Sequence, residues 1–210
     1  MAGSGFDLPA TLGYIGPERA AAVETREFDY EALVRPLEDR MMRAIWRIVR
    51  DRDACEDALQ DALTVIWKKR DAVARHPKPE ALMLKIAVCA AYDAVRKRRR
   101  RLRHEIGGFL GDLADAAPPI FQGIEDRDLR ASVLGAIARL PRRQATAVLL
   151  RVVEERSYED IAAAMGCSET TVRVTVMRGR ERLAALLVRE VPGLGPRSVR
   201  SLQKEEGVPS

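Results

Sequence analysis

The chain has 210 residues, with 36 Lys plus Arg against 31 Asp plus Glu. That length admits one or two domains, and with 32% of residues charged, the placement of the two signs matters more than their sum. Aromatics at 5% argue against a stacking platform for single-stranded RNA, and Cys55, Cys89 and Cys167 lack any CxxC or Cys/His spacing that would hold zinc.

Residues 1–26 are rich in Gly, Ala and Pro without sustained periodicity, so a flexible segment is expected, with at most a short helix near Glu18 to Glu24. No cationic start leads into an apolar core, so no signal peptide is expected. The most apolar stretch, Ala81 to Val95, contains Lys85 and Asp93 and is too short to span a bilayer. The expectation is a cytoplasmic, reduced protein without stable membrane insertion. Its cysteines then read as small buried apolar residues, with a redox sensor as the alternative.

From Phe28 onward, Tyr30, Leu33, Val34, Leu37, Met41, Ile45, Ile48 and Val49 recur at helical steps. Pro36 predicts a kink or a break into two helices. Asp53 is read as the cap of the next helix, with Glu56 closing a capping box. Ala58, Leu59, Ala62, Leu63 and Ile66 form its inner face, and Glu56, Asp57, Gln60 and Asp61 gather on an outer stripe. Two readings of that stripe stay open: compensation of the helix dipole, or a docking face for a positively charged partner. Asp71 to Pro79 reads as a loop with two prolines. The helix after it, about Glu80 to Arg103, is apolar on nearly every side in its first half and should be central to a bundle. Its second half is RKRRRRLR, Arg96 to Arg103, either a solvated helix end or a surface for a polyanion.

Between Glu105 and Asp126 glycines, prolines and acids replace the periodicity, as in an interdomain linker. Leu129, Val133, Ile137 and Leu140 then line one helix, and Ala145, Val148, Leu149 and Val152 line another that Pro141 starts. Ser157 caps a third helix with Asp160 three residues on; Tyr158, Ile161, Ala162 and Met165 share a face, and Gly166 suits a left-handed C-cap. Ser168 caps the fourth helix, which buries Val172, Val176, Leu183 and Leu187 and shows Glu169, Thr170, Arg173, Arg178, Arg180 and Arg182 outward. This is either an ordinary helical hairpin or a helix-turn-helix whose second helix enters the DNA major groove. The fold class is all-α: two small helical domains joined by a flexible linker, the second containing the helix-turn-helix. The boundaries are 1–26 (flexible), 27–104, 105–127 (linker), 128–188 and 189–210 (flexible tail).

LPRRQATAVLLRVVEERSYEDIAAAMGCSETTVRVTVMRGRERLAALL, from Leu140, resembles the C-terminal domain of bacterial RNA polymerase sigma factors of the sigma-70 family, extracytoplasmic-function (ECF) type. DYEALVRPLEDRMMRAIWRIVRDRDACEDALQDALTVIWKK, from Asp29, is similar to the same family's N-terminal domain. The resemblance implies that Glu56, Asp57, Gln60 and Asp61 contact core RNA polymerase. It implies that Lys85, Arg96, Lys97, Arg98, Arg99, Arg100 and Arg101 serve the minus-ten side of the promoter. Ser168, Thr170, Thr171, Arg173, Thr175, Arg178 and Arg180 then serve the minus-thirty-five side. Several positions depart from the family pattern. Leu82 stands where a tryptophan is common, Val88 and Cys89 replace an Arg-Asn pair, and Arg173, Val174 and Thr175 replace Lys-Ser-Arg. Arg173 is the plainest base reader among them, since arginine binds guanine bidentately.

The leading reading is a sigma factor that binds core RNA polymerase and directs promoter-specific initiation. Core polymerase, promoter DNA and an anti-sigma protein are the expected partners. No nucleophile–base constellation is visible, and His76 and His104 stand apart in sequence. No enzyme activity, small-molecule substrate, metal or cofactor is therefore expected. The alternatives are an autonomous helix-turn-helix regulator, which leaves the acidic stripe without a task, and a sigma-like decoy that binds an anti-sigma protein but not DNA.

Overall fold

The structure, a computed structural model, describes residues 27–105 and 127–190. The expected flexible N-terminal segment, nearly all of the linker and the C-terminal tail lie outside the described residues. Among the described residues every regular element is a helix.

Helix α1 (Tyr30–Leu33) is capped by Asp29, whose carboxylate accepts from the Ala32 amide. The chain breaks at Val34, and α2 (Arg35–Val49) follows with Pro36 in its first turn, so the break falls where proline requires it. Helix α2 ends at Arg50 in the left-handed region, φ 58. That turn leaves Asp51 extended, the backbone state of an N-cap, and Asp51 accepts from the Ala54 amide at 3.0 Å. The cap of α3 (Arg52–Lys68) is therefore Asp51 and not Asp53, which lies inside the first turn. Glu56 closes no box with Asp53; it pairs with Arg52 at 3.1 Å. Part of the expected loop after α3 is a further short helix, α4 (Arg70–Ala74), because Val73 and Ala74 are buried and hold it down. Helix α5 (Pro79–Glu105) begins with a proline, whose missing N–H costs nothing there. Helices α2 and α3 pack along α5, and Met41, Ile45, Ile48, Ile66, Met83 and Leu84 on these helices are fully buried.

The rear half comprises α6 (Arg127–Ile137), α7 (Arg142–Val152), α8 (Tyr158–Met165) and α9 (Glu169–Glu190). Leu140 is buried, but just beyond the end of α6. Pro141 is the extended N-cap residue of α7 rather than its first helical residue. Ser157 accepts from the Asp160 amide at 3.0 Å, Gly166 closes α8 at φ 62, and Ser168 accepts from the Thr171 amide at 3.2 Å. Val172, Val176, Leu183 and Leu187 are all buried, as their spacing predicts.

Helix α9 lies so close to α7 that a Cβ on Gly179 would stand 2.7 Å from the Val148 side chain. Gly179→Ala is expected to overpack this contact, at about 1–3 kcal/mol, against roughly 1 kcal/mol gained in helix propensity. Gly135 meets nothing within 4 Å, so Gly135→Ala should stabilise by up to about 1 kcal/mol. Urea unfolding of the two variants should therefore move their midpoints in opposite directions.

The two halves share one core, with α5 packed on both α7 and α8. This contact is a finding that sequence spacing did not foreshadow. The buried Tyr92 hydroxyl donates to the Leu140 carbonyl at 2.7 Å. Cys89 Sγ lies 3.5 Å from Thr146 Oγ1, and Arg142 donates to Asp93 at 2.8 Å. Lys78 pairs with both Glu159 and Asp160 at 2.7 Å. Glu80 takes Arg40 from the front half and Arg156 from the rear. The Lys78 amide donates to His76 Nδ1, which places the ring proton on Nε2, and Nε2 donates to the Ala163 carbonyl at 3.2 Å. His76, isolated in sequence, is thus a tie between the halves.

Arg47 reaches from α2 to Glu154, donating at 3.2 Å to a carboxylate whose side chain is 3% exposed. Burial raises the Glu154 pKa, and Arg47 opposes that rise. Its folded value is thus above its unfolded one, so ionisation of Glu154 works against the folded state as pH rises through the raised value. Asp160 acts in the opposite sense. The Lys78 hydrogen bond lowers its pKa, so its contribution is present above the usual carboxylate range and is lost as pH falls through the lowered value. Glu154 is buried and Arg47 only half-buried, so removing Arg47 strands the buried carboxylate. Arg47→Met should therefore cost about 2–4 kcal/mol near neutral pH. Glu154→Gln keeps an acceptor without a buried charge and should cost less than about 1 kcal/mol. Denaturant titration checks the asymmetry.

Candidate nucleic-acid interface

Helix α9 divides sharply by face. Glu169, Thr170, Thr171, Arg173 and Arg178 are exposed, Thr175 and Arg180 are half-buried, and the four inner apolar residues hold the helix to the domain. Ser168 caps the helix, so its hydroxyl is engaged with Thr171. The Thr175 hydroxyl donates to the Thr171 carbonyl at 2.6 Å, which removes its proton from use toward DNA. Val174 and Met177 add exposed apolar surface between the arginines; sequence reading missed them as contact candidates. Tyr158, read from sequence as an inner-face residue, is half-buried and has the guanidiniums of both Arg173 and Arg151 over its ring.

The second basic surface is the end of α5. Arg96, Lys97, Arg100 and Arg101 are exposed, and Arg98 and Arg99 are half-buried. Arg98 lies 3.9 Å from Asp51, and Arg99 donates to the Gly135 carbonyl at 2.9 Å. Lys85 sits apart from them. It is half-buried and near Arg142 and Arg143, and burial lowers its pKa. The structure therefore brings Arg96 to Arg101 together and leaves Lys85 on the side facing the rear half.

The acidic stripe of α3 is exposed at Glu56, Asp57, Gln60 and Asp61. Asp57 and Asp61 line one wall of a groove of about 700 Å³ whose other wall carries Arg96, Lys97, Arg98, Arg100 and Arg101. Glu56 and Gln60 do not line it. The four residues thus form a ridge with one flank toward the arginine run, a division that helical spacing alone does not reveal.

Two separate family models match this architecture half by half. Residues 33–101 match Sigma-70 region 2, and residues 130–183 match Sigma-70, region 4. The RNA polymerase sigma factor CarQ of Myxococcus xanthus is 30% identical over 148 residues, which cover 70% of this chain and 83% of that protein. The chain belongs to the sigma-70 family of RNA polymerase sigma factors. This sigma factor is also 29% identical to RNA polymerase sigma-H factor of Pseudomonas aeruginosa, over 79% of its own length and 89% of the relative's. ECF RNA polymerase sigma factor EcfG of Rhodopseudomonas palustris is 30% identical over 64% of this chain and 72% of that one. Among solved structures, the sigma factor RpoE of Bartonella quintana, in complex with the anti-sigma factor NepR, is 27% identical. That likeness covers 79% of this chain and all of that one, with a TM-score of 0.48.

The departures from the family pattern have distinct positions in this sigma factor. Leu82 packs against the core. Val88 and Cys89 are buried, and Cys89 meets Thr146 of α7 across the contact between the halves. At Cys89 a small apolar group stands where a polar one would have to be desolvated against α7. Among the described residues no group of three or more His, Cys, Asp or Glu is placed to hold a metal ion. Among the same residues no helix is long and apolar enough to cross a membrane.

Proposed function

We propose that this sigma factor divides its work among three surfaces. The exposed ridge of α3, Glu56, Asp57, Gln60 and Asp61, docks on core RNA polymerase. The arginine run at the end of α5, Arg96 to Arg101, contacts the minus-ten side of the promoter. The outer face of α9, with Ser168, Thr170, Thr171, Arg173, Thr175, Arg178 and Arg180, engages the minus-thirty-five element in the major groove. Bond formation belongs to the polymerase, and this chain supplies recognition and strand opening in the cytoplasm. An anti-sigma protein is its expected antagonist.

The observation that carries the reading is the segregation of charge. Acids are collected on one exposed helix face and arginines on two others, in a chain whose apolar positions already account for the shared core. Phosphate contacts position a protein on DNA, and base-edge contacts specify where.

Engaging both promoter elements requires the halves to part. Elements whose names place them roughly 25 base pairs apart lie on the order of 80 Å apart along B-DNA, whereas a closed body of about 140 residues, with a radius of gyration of about 14 Å, is only about 40 Å across. Residues 106–126 can reach roughly 70 Å at about 3.3–3.6 Å each, a span of the required order.

Run-off transcription with reconstituted holoenzyme on genomic fragments tests the proposal. Initiated transcripts from discrete start sites are expected. Duplex binding with no association with core polymerase would support an autonomous regulator instead. Association without transcripts would support a decoy.

A further inference from the structure

Arg173, the leading base reader, is held only loosely by its own helix. Its ion pair with Glu169 spans 3.7 Å, and its side chain is 59% exposed. A long arginine in that setting has about 2 kcal/mol of rotamer entropy to lose when it fixes on a base, which works against recognition. Its guanidinium carbon, however, lies 4.2 Å from the centre of the Tyr158 ring on the preceding helix. A second guanidinium, that of Arg151, lies 4.9 Å from the same ring, and Arg151 is itself tied to the Arg156 carbonyl at 3.2 Å. Tyr158 is held in turn, packed against the hydrophobic core in the first turn of α8 behind the Ser157 cap. An aromatic face attracts both cations, and the fixed Arg151 leaves Arg173 as the mobile member of the cluster. The chain Arg151–Tyr158–Arg173 therefore links the base-contacting face of α9 to α7 and α8, the two helices that carry it.

We infer that Tyr158 is a positioning residue for promoter recognition: its ring pre-orients the Arg173 guanidinium for one base pair of the upstream element. Holding a flexible side chain in its bound geometry sharpens binding by reducing what must be ordered on contact. Entry of Arg173 into the groove releases Glu169 and retains the ring. The inference rests on α9 being the upstream reader and Arg173 a base contact.

The test uses holoenzyme reconstituted from the full chain and core RNA polymerase. The template pool derives from a genomic fragment that the holoenzyme transcribes, with the upstream element randomised. Sequencing the transcripts gives a base preference at each position. Arg173→Ala should flatten the preference at one position by about tenfold or more. Tyr158→Leu should reduce preference at that same position by about two- to fivefold and leave the others as in the wild type. Tyr158→Phe, which keeps the ring, should match the wild type, and Y158L/R173A should be no flatter than R173A. Thermal unfolding of each variant runs alongside. If Y158L fails to fold, Tyr158→Met removes the ring while keeping apolar volume. An R173A pool without a flattened position overturns the base-reading assignment and this inference with it. A flattened R173A pool with an unchanged or uniformly weakened Y158L pool overturns the positioning role alone, as does a sharper Y158L preference.

Discussion

Reversing charge at Asp57 and Asp61 together should weaken association with core RNA polymerase by about a hundredfold or more, since each like-charge juxtaposition at an interface costs several kcal/mol. Both residues are exposed on α3, clear of its buried face of Cys55, Ala58, Ala62 and Ile66. Helix content should therefore be retained. The groove beside them sharpens the experiment. Because Arg96, Lys97, Arg98, Arg100 and Arg101 form the opposite wall, introduced lysines would also repel the chain's own arginines. The neutral pair Asp57→Asn and Asp61→Asn separates the two effects. If the neutral variant already shows most of the loss, the carboxylates themselves make the contact. If only the reversed variant binds weakly, the loss comes from repulsion, by the partner or by the chain's own arginines, and not from missing carboxylate contacts. Equilibrium binding to core polymerase, with circular dichroism to monitor folding, distinguishes the cases. Full affinity in both variants would remove α3 as the docking element.

Thr146→Cys should yield a sigma factor whose transcription is switched off by oxidation. Thr146 is 3% exposed, and its hydroxyl oxygen lies 3.5 Å from the Cys89 sulfur across the contact between the halves. A thiol at that position that closed on Cys89 to a bond of about 2.05 Å would fasten α5 to α7. On the proposed division of surfaces, a closed chain cannot reach both promoter elements. Depleting the open, competent state in this way should lower run-off transcription by about a hundredfold or more, with recovery on adding a thiol reductant. Wild-type protein treated with the same oxidant controls for Cys55 and Cys167, which are also free. Cys89→Ser combined with Thr146→Cys should be insensitive. Equal transcription from cross-linked and reduced protein would show that the halves need not part.

The elements themselves were legible in the sequence because helix formation here follows local rules. Ser157, Gly166 and Ser168 occupy the expected ends of α8 and α9, and the apolar steps of α9 predict its buried face. Pro36 marks the break between α1 and α2. Errors arose where a neighbouring turn chose between two local solutions. Asp51 and Asp53 are both competent caps, and the left-handed Arg50 selected Asp51. Val73 and Ala74 drew α4 out of an expected loop, because their burial outweighs the breaking tendency of the prolines that follow.

By itself, the sequence determined an all-α chain of two helical modules, with acids on one exposed face and arginines on two others, because caps, helical periodicity and charge are properties of neighbouring residues. The tertiary structure alone decided that the modules close on each other through Tyr92, His76, Lys78 and Arg47. It also separated Lys85 from the arginine run and set Arg173 over Tyr158. Those outcomes depend on which surfaces meet across tens of residues, and the burial that selects them exists only once both modules are formed.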